Sequence, residues 1–137
     1  MLLKVATLKF GKGMKKLENF YNAKKINACF TNDLSTIIKR IMKLKKITIT
    51  QMARDMNLDR TSLSKAIHKE PPCDKKKLVR ICLYLNLTPF ESYRLLSLGL
   101  VNLTSDTYEN YIYVSLINSN LKEKYKKIEE KLKKIKL

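Results

Sequence analysis

Between Ile47 and Lys69 the chain reads ITITQMARDMNLDRTSLSKAIHK, and that spacing leaves few conformations open. Thr48 with Gln51 three residues on forms a T-x-x-Q capping box, the mark of a helix start. Met52, Ala53 and Met56 then share one apolar face. Asn57 stands where the chain must turn, and Asn tolerates the left-handed backbone of such a turn better than any residue but Gly. Leu58 is placed to bury inside the turn, and Asp59 to cap a second helix. In that helix Leu63, Ala66 and Ile67 point inward, leaving Arg60, Thr61, Ser62, Ser64, Lys65 and His68 outside. The pattern predicts two short helices joined by a tight turn, with a polar, cationic outer face.

These residues resemble the phage-repressor (Cro-type) helix-turn-helix family. The likeness rests on Ala53 in the middle of the first helix, Asn57 where the family usually has Gly, and Leu58, Leu63 and Ala66 at apolar positions. Arg60, Thr61 and Ser62 fall on the family's short polar run at the start of the recognition helix. The sequence departs from the pattern at Ile49, where a phosphate-contacting Gln is common, and at Glu70, Pro71 and Pro72, which replace a Gly-containing exit. The resemblance spans about residues 33–98. It implies an all-α, five-helix repressor-like domain that binds double-stranded DNA and lays the helix of residues 59–69 in the major groove.

The flanking sequence supplies the other three helices. Leu34, Ile37, Ile38, Ile41 and Met42 repeat at the helical period from Asp33 to about Lys46, with Asn32 or Asp33 as cap. Pro71-Pro72 breaks the chain after the recognition helix. Asp74 caps the next helix, in which Leu78, Ile81, Cys82 and Leu85 form a stripe. Lys75, Lys76 and Lys77 crowd its first turn, where cations oppose the helix dipole, so a phosphate held there is expected. Thr88-Pro-Phe-Glu91 is a second capping box with Pro at the first helical position, and Gly99 is the C-cap of that fifth helix.

Charge points the same way. The 137 residues carry 29 Lys+Arg against 12 Asp+Glu, a net charge of +17. Such an excess implies a polyanionic partner, nucleic acid before an anionic membrane, although an A+T-rich genome also enriches Lys, Ile and Asn. Three cysteines, Cys29, Cys73 and Cys82, show no paired spacing, which predicts a reducing, cytoplasmic compartment such as the bacterial cytosol or nucleoid. No C-x-x-C accompanies His68, the single histidine, so no metal and no cofactor are expected. No apolar run is long enough to span a membrane, and no small-molecule site is evident. No catalytic residue is assigned: one histidine, no Gly-rich phosphate loop and no supported carboxylate pair argue against an enzyme.

Both ends extend beyond the reading domain at 33–99. Residues 1–32 form a basic N-terminal extension with seven Lys and one Glu. LLKVATLKF reads as a short strand and Met14–Lys25 as a weak helix, either a phosphate-tracking arm or a packing element. Met14 is an alternative start. At the other end, residues 104–137 read as one long helix from an Asp106/Glu109 cap. Val114 and Ile117 begin its apolar stripe, and Leu121, Tyr125, Ile128, Leu132 and Ile135 continue it in heptad rhythm as a seam for self-association into a homodimer.

The roles divide accordingly. Arg60, Thr61, Ser62 and Lys65 are the base-reading candidates, because Arg and Lys can donate to guanine O6 and N7 and hydroxyls can serve either base or phosphate. Thr48, Thr50, Gln51, Ser64, His68, Lys69, Lys75, Lys76, Lys77, Lys45 and Lys46 are the candidates for the DNA backbone. The function this predicts is a small bacterial, phage or plasmid transcription regulator. The alternative is an assembly adaptor that keeps the scaffold without the DNA. RNA binding is disfavoured, since most tyrosines occupy helix-face positions expected to lie in the core.

Overall fold

The computed structural model describes residues 24–104, 106–119 and 125–137. The chain divides into two compact units, Met1–Phe30 and Thr31–Leu137. In the first, residues 24–29 are helical, past the expected end of the Met14 helix at Lys25. The strand read at LLKVATLKF and the rest of that helix lie outside the described residues.

All regular structure among the described residues of the second unit is helical, in the order α1 (Leu34–Leu44), α2 (Ile49–Asp55), α3 (Arg60–His68), α4 (Lys75–Tyr84), α5 (Pro89–Leu98), α6 (Tyr108–Asn118) and α7 (Tyr125–Lys134). The α1 stripe is buried as its period requires: Leu34, Ile37, Ile38, Ile41 and Met42 all lie in the core. Each such side chain contributes about 1.5–3 kcal/mol on leaving water. Met52, Ala53 and Met56 of the α2 segment pack with Leu63 and Ile67 of α3, and α1 closes against α3. Ala66 is only half-buried. The α4 stripe gains Val79, which the sequence pattern omitted, and α4 packs on α5 and α6. Cys82 lies in this layer, where burial pushes its thiol up to about 12.

The helix starts follow local chemistry. Thr48 accepts from the Gln51 N–H at 3.1 Å, one arm of the expected box. Both arms form at Thr88 and Glu91, with Pro89 at the first helical position. Asp74 caps α4 through the Lys77 N–H. Asp33 and Asp59 occupy N-cap positions without making a capping bond, and the Asp33 carboxylate takes the Thr36 hydroxyl instead. For α6 the cap is Thr107, which accepts from the Asn110 N–H at 3.1 Å, not Asp106. A hydroxyl one residue nearer the helix body outcompetes the upstream carboxylate by geometry alone.

One C-terminal device recurs. Lys46, Asn57, Asn86, Leu100 and Lys136 all take positive φ between 53° and 60°. Each is followed by an apolar residue (Ile47, Leu58, Leu87, Val101 or Leu137) whose N–H returns to a carbonyl five residues back. This is the Schellman motif, closing α1, α2, α4, α5 and α7 without a glycine in the left-handed position. Gly99 is the C-cap of α5 but has φ −83°. Its need for a bare Cα is steric: a Cβ there would lie 2.5 Å from Leu78 Cδ2 and 3.4 Å from Cys73 Sγ.

The C-terminal segment corrects the expectation of one long helix. The first helix ends at Asn118, with Ser119 as its C-cap. Its buried face is Asn110, Tyr113 and Ile117 rather than a stripe through Val114, which is half-buried. In α7, Tyr125, Ile128 and Leu132 are buried within the chain itself, so they are not an open seam for a second copy. Ile135 is half-buried, and Leu121 lies outside the described residues. Tyr125 meets Tyr84 of α4, and Leu132 and Ile135 share a groove with Ile112 and Leu116 of α6, because one short helix gains more by covering an existing core than by protruding.

Candidate nucleic-acid interface

The α3 helix begins three residues after the left-handed Asn57, so the turn dictates which side chains face out. Leu63 and Ile67 anchor it from below, 0% and 2% exposed. On the opposite side Arg60, Thr61, Ser64, Lys65 and His68 line an open surface groove of about 610 Å³. Of the four expected base readers, Arg60, Thr61 and Lys65 are exposed and share this groove. Ser62 does not line it and is half-buried, since two residues along a helix turn a side chain about 200° from Arg60. Ser64 and His68, expected to meet the DNA backbone, line the same groove.

His68 is oriented by its own helix. Its Nδ1 lies 2.7 Å from the Ser64 carbonyl oxygen, which can only accept, so Nδ1 carries the proton. That leaves Nε2 as the free ring atom, an acceptor in the neutral ring.

The expected backbone contacts separate into three groups. Thr48, Thr50, Gln51, Lys46, Lys69 and Lys76 are exposed, and Lys77 is half-buried. Lys45 is half-buried, and burial draws its pKa below the ordinary lysine value, partly offset by the Glu91 carboxylate. Lys75 is a correction. Its ammonium donates to Asn110 Oδ1 at 2.9 Å and lies 3.5 Å from Glu109, both on α6. Asp74 already supplies the anion at the α4 N-terminus. Through its Asn110 and Glu109 contacts Lys75 ties α4 to α6.

The sequence reading missed a polar cluster between α4 and α7. Arg80 pairs with Glu129 and donates to the Leu137 carbonyl at 2.8 Å. The Tyr125 hydroxyl donates to the other Glu129 oxygen at 2.5 Å. The rings of Tyr84 and Tyr125 meet edge to face at 5.2 Å, and Tyr84 donates to Asp55 Oδ2 of α2 at 2.7 Å. One signal pointed here: Arg80 is the lone charge in the run LVRICLYL, where a cation must find a partner or reach water.

A short α2, a positive-φ turn residue and an exposed polar face on α3 are the parts of a DNA-reading pair. Residues 38–91 match the family model of the Cro/C1-type HTH DNA-binding domain. The matched stretch covers α2 to α4 whole, with most of α1 and the start of α5. No curated protein and no solved structure matches the chain. Beyond the matched residues, α6 and α7 are packed onto the domain by the Lys75 and Arg80 contacts. Among the described residues, no helix is long and apolar enough to cross a membrane. Tyr108 and Tyr111 of α6 are 65% and 60% exposed, against the expectation that most tyrosines lie in the core.

Proposed function

We propose that the protein is a sequence-specific double-stranded DNA-binding transcription regulator of bacterial, phage or plasmid origin, reading the major groove with α3. The observation that carries this is the groove of Arg60, Thr61, Ser64, Lys65 and His68 on the outer face of a Cro/C1-type recognition helix. Arg60 and Lys65 can donate to guanine O6 and N7, Thr61 and Ser64 can serve base or phosphate, and His68 Nε2 can accept from an amino edge. Lys46, Thr48, Thr50, Gln51 and Lys76 are left to hold phosphates on either side.

One recognition helix reads few base pairs, so the protein acts as a symmetric dimer with half-sites about 34–36 Å apart, or a multiple of it. With the heptad face of α7 buried, the interface falls at the end of α5 and the 100–103 segment. There Leu100 is 68% exposed beside a groove lined by Tyr93, Leu96 and Leu103. Selection of bound sites from random duplex DNA tests the reading. The expected result is an enriched palindromic site whose binding weakens with salt. Recovery of no preferred sequence sinks it in favour of an adaptor role.

A further inference from the structure

Helix α7 is rich in lysine, yet it is seated firmly. Glu129 and Tyr125 engage Arg80 and Tyr84 of α4, and Ile128 and Leu132 are buried. Through Tyr84 and Asp55 the same contacts reach α2. Between α2 and α7 runs a cleft of about 670 Å³, lined on one side by Gln51 and Arg54 and on the other by Lys126 and Lys133. It extends to Asn57 in the turn, three residues before Arg60, and so reaches the edge at which α3 begins. Of the acids in the cleft, Asp55 accepts from Tyr84 and Glu129 is held by Arg80 and Tyr125. With Glu129 balanced by Arg80, the three cations Arg54, Lys126 and Lys133 face two exposed carboxylates, Asp55 and Glu130, so the cleft keeps an excess of positive charge. In a chain of net charge +17, holding such a helix against a basic domain costs self-repulsion. A polyanion lying along the cleft turns that repulsion into attraction.

We infer that the α2–α7 cleft is a second DNA-contact site, in which Gln51, Arg54, Lys126 and Lys133 hold the phosphate backbone of the duplex flanking the stretch read by α3. The inference rests on the DNA-binding reading of α3 and extends its footprint. The contacts add affinity and register without sequence information, since phosphate is the same at every base pair.

The test uses the full chain and a 30-bp duplex of random sequence, with affinity followed by fluorescence anisotropy between 50 and 200 mM salt. Lys126→Gln with Lys133→Gln is compared with Lys127→Gln with Lys134→Gln, the same charge change about a quarter-turn round α7. All four lysines are exposed, so both variants keep the wild-type melting curve. The expected result is a slope of log K against log salt shallower by about 1.8 for the cleft variant, from two lost phosphate contacts. The control variant keeps the wild-type slope. Equal slopes for the two variants overturn the cleft site and leave the α3 reading standing. A wild-type chain with no salt-sensitive duplex binding overturns the α3 reading and the cleft site together.

Discussion

Arg80 on α4 and Glu129 on α7 form an ion pair whose side chains are only 11% and 10% exposed, although 49 residues separate them. A pair so nearly enclosed contributes little beyond what two well-packed apolar side chains would, but breaking it leaves a charge with no partner. Glu129→Gln should therefore lower unfolding stability by about 3 kcal/mol, while Arg80→Met with Glu129→Leu recovers most of the loss. Urea denaturation of the three variants checks this. A Glu129→Gln chain as stable as wild type would remove the pair from the account of why α7 docks.

Truncation after Asn120 follows from the same contact. It removes Tyr125, Ile128 and Leu132 from the core and strips Arg80 of its partner. The remaining domain should lose several kcal/mol, roughly the burial of those side chains plus the orphaned guanidinium. The expected outcome is a large drop in melting temperature of the helix-turn-helix itself, read by circular dichroism.

On the outer face of α3, Arg60→Ala and Lys65→Ala should leave the melting curve unchanged, because both side chains are exposed. Each should cost about 1–3 kcal/mol of binding to the selected site and relax preference at one base position. Lys75→Gln should not alter the salt slope, because that lysine is engaged by Asn110 and Glu109, whereas Lys76→Gln should shallow it by about 0.9. Equal slopes for these two variants would return Lys75 to the interface.

Leu100 carries two loads that one substitution separates. Its φ of 55° is a strained conformation for a leucine, and its side chain is exposed. Leu100→Gly should raise the stability of the monomer by about 0.5–1 kcal/mol, the relief of left-handed strain less the extra freedom of Gly in the unfolded chain. It should lower the dimer population in sedimentation if the α5 end is the interface. At the preceding position, Gly99→Ala should destabilise by about 1–2 kcal/mol, since the added Cβ meets Leu78.

The Thr36 hydroxyl, hydrogen-bonded to the Asp33 carboxylate, holds that group below the usual aspartate range. Thr36→Val should raise the Asp33 pKa in an NMR titration. A depressed folded-state pKa stabilises above the unfolded value and ceases to do so as pH falls through the folded one. The stability difference between variant and wild type should therefore be present at neutral pH and fade in acid.

The sequence by itself determined what short-range chemistry controls. Periodicity placed α1 through α5, and Thr88-Pro-Phe-Glu91 specified its helix start outright, because a cap and its box lie within four residues. Thr48 to Ile67 specified the turn and the outward face of α3, with Ser62 falling outside the groove that Arg60, Thr61 and Lys65 share, since a helix wheel resolves inside from outside better than it resolves the flanks. What the sequence left open was decided by packing. The α7 stripe of Tyr125, Ile128 and Leu132 fits a partner helix or the chain's own core equally well by pattern, and only tertiary structure chose the core. Lys75 could have met phosphate, and Asn110 and Glu109, 35 and 34 residues on, took it instead. Both outcomes depend on which surfaces meet across long stretches of chain, and no local spacing encodes that.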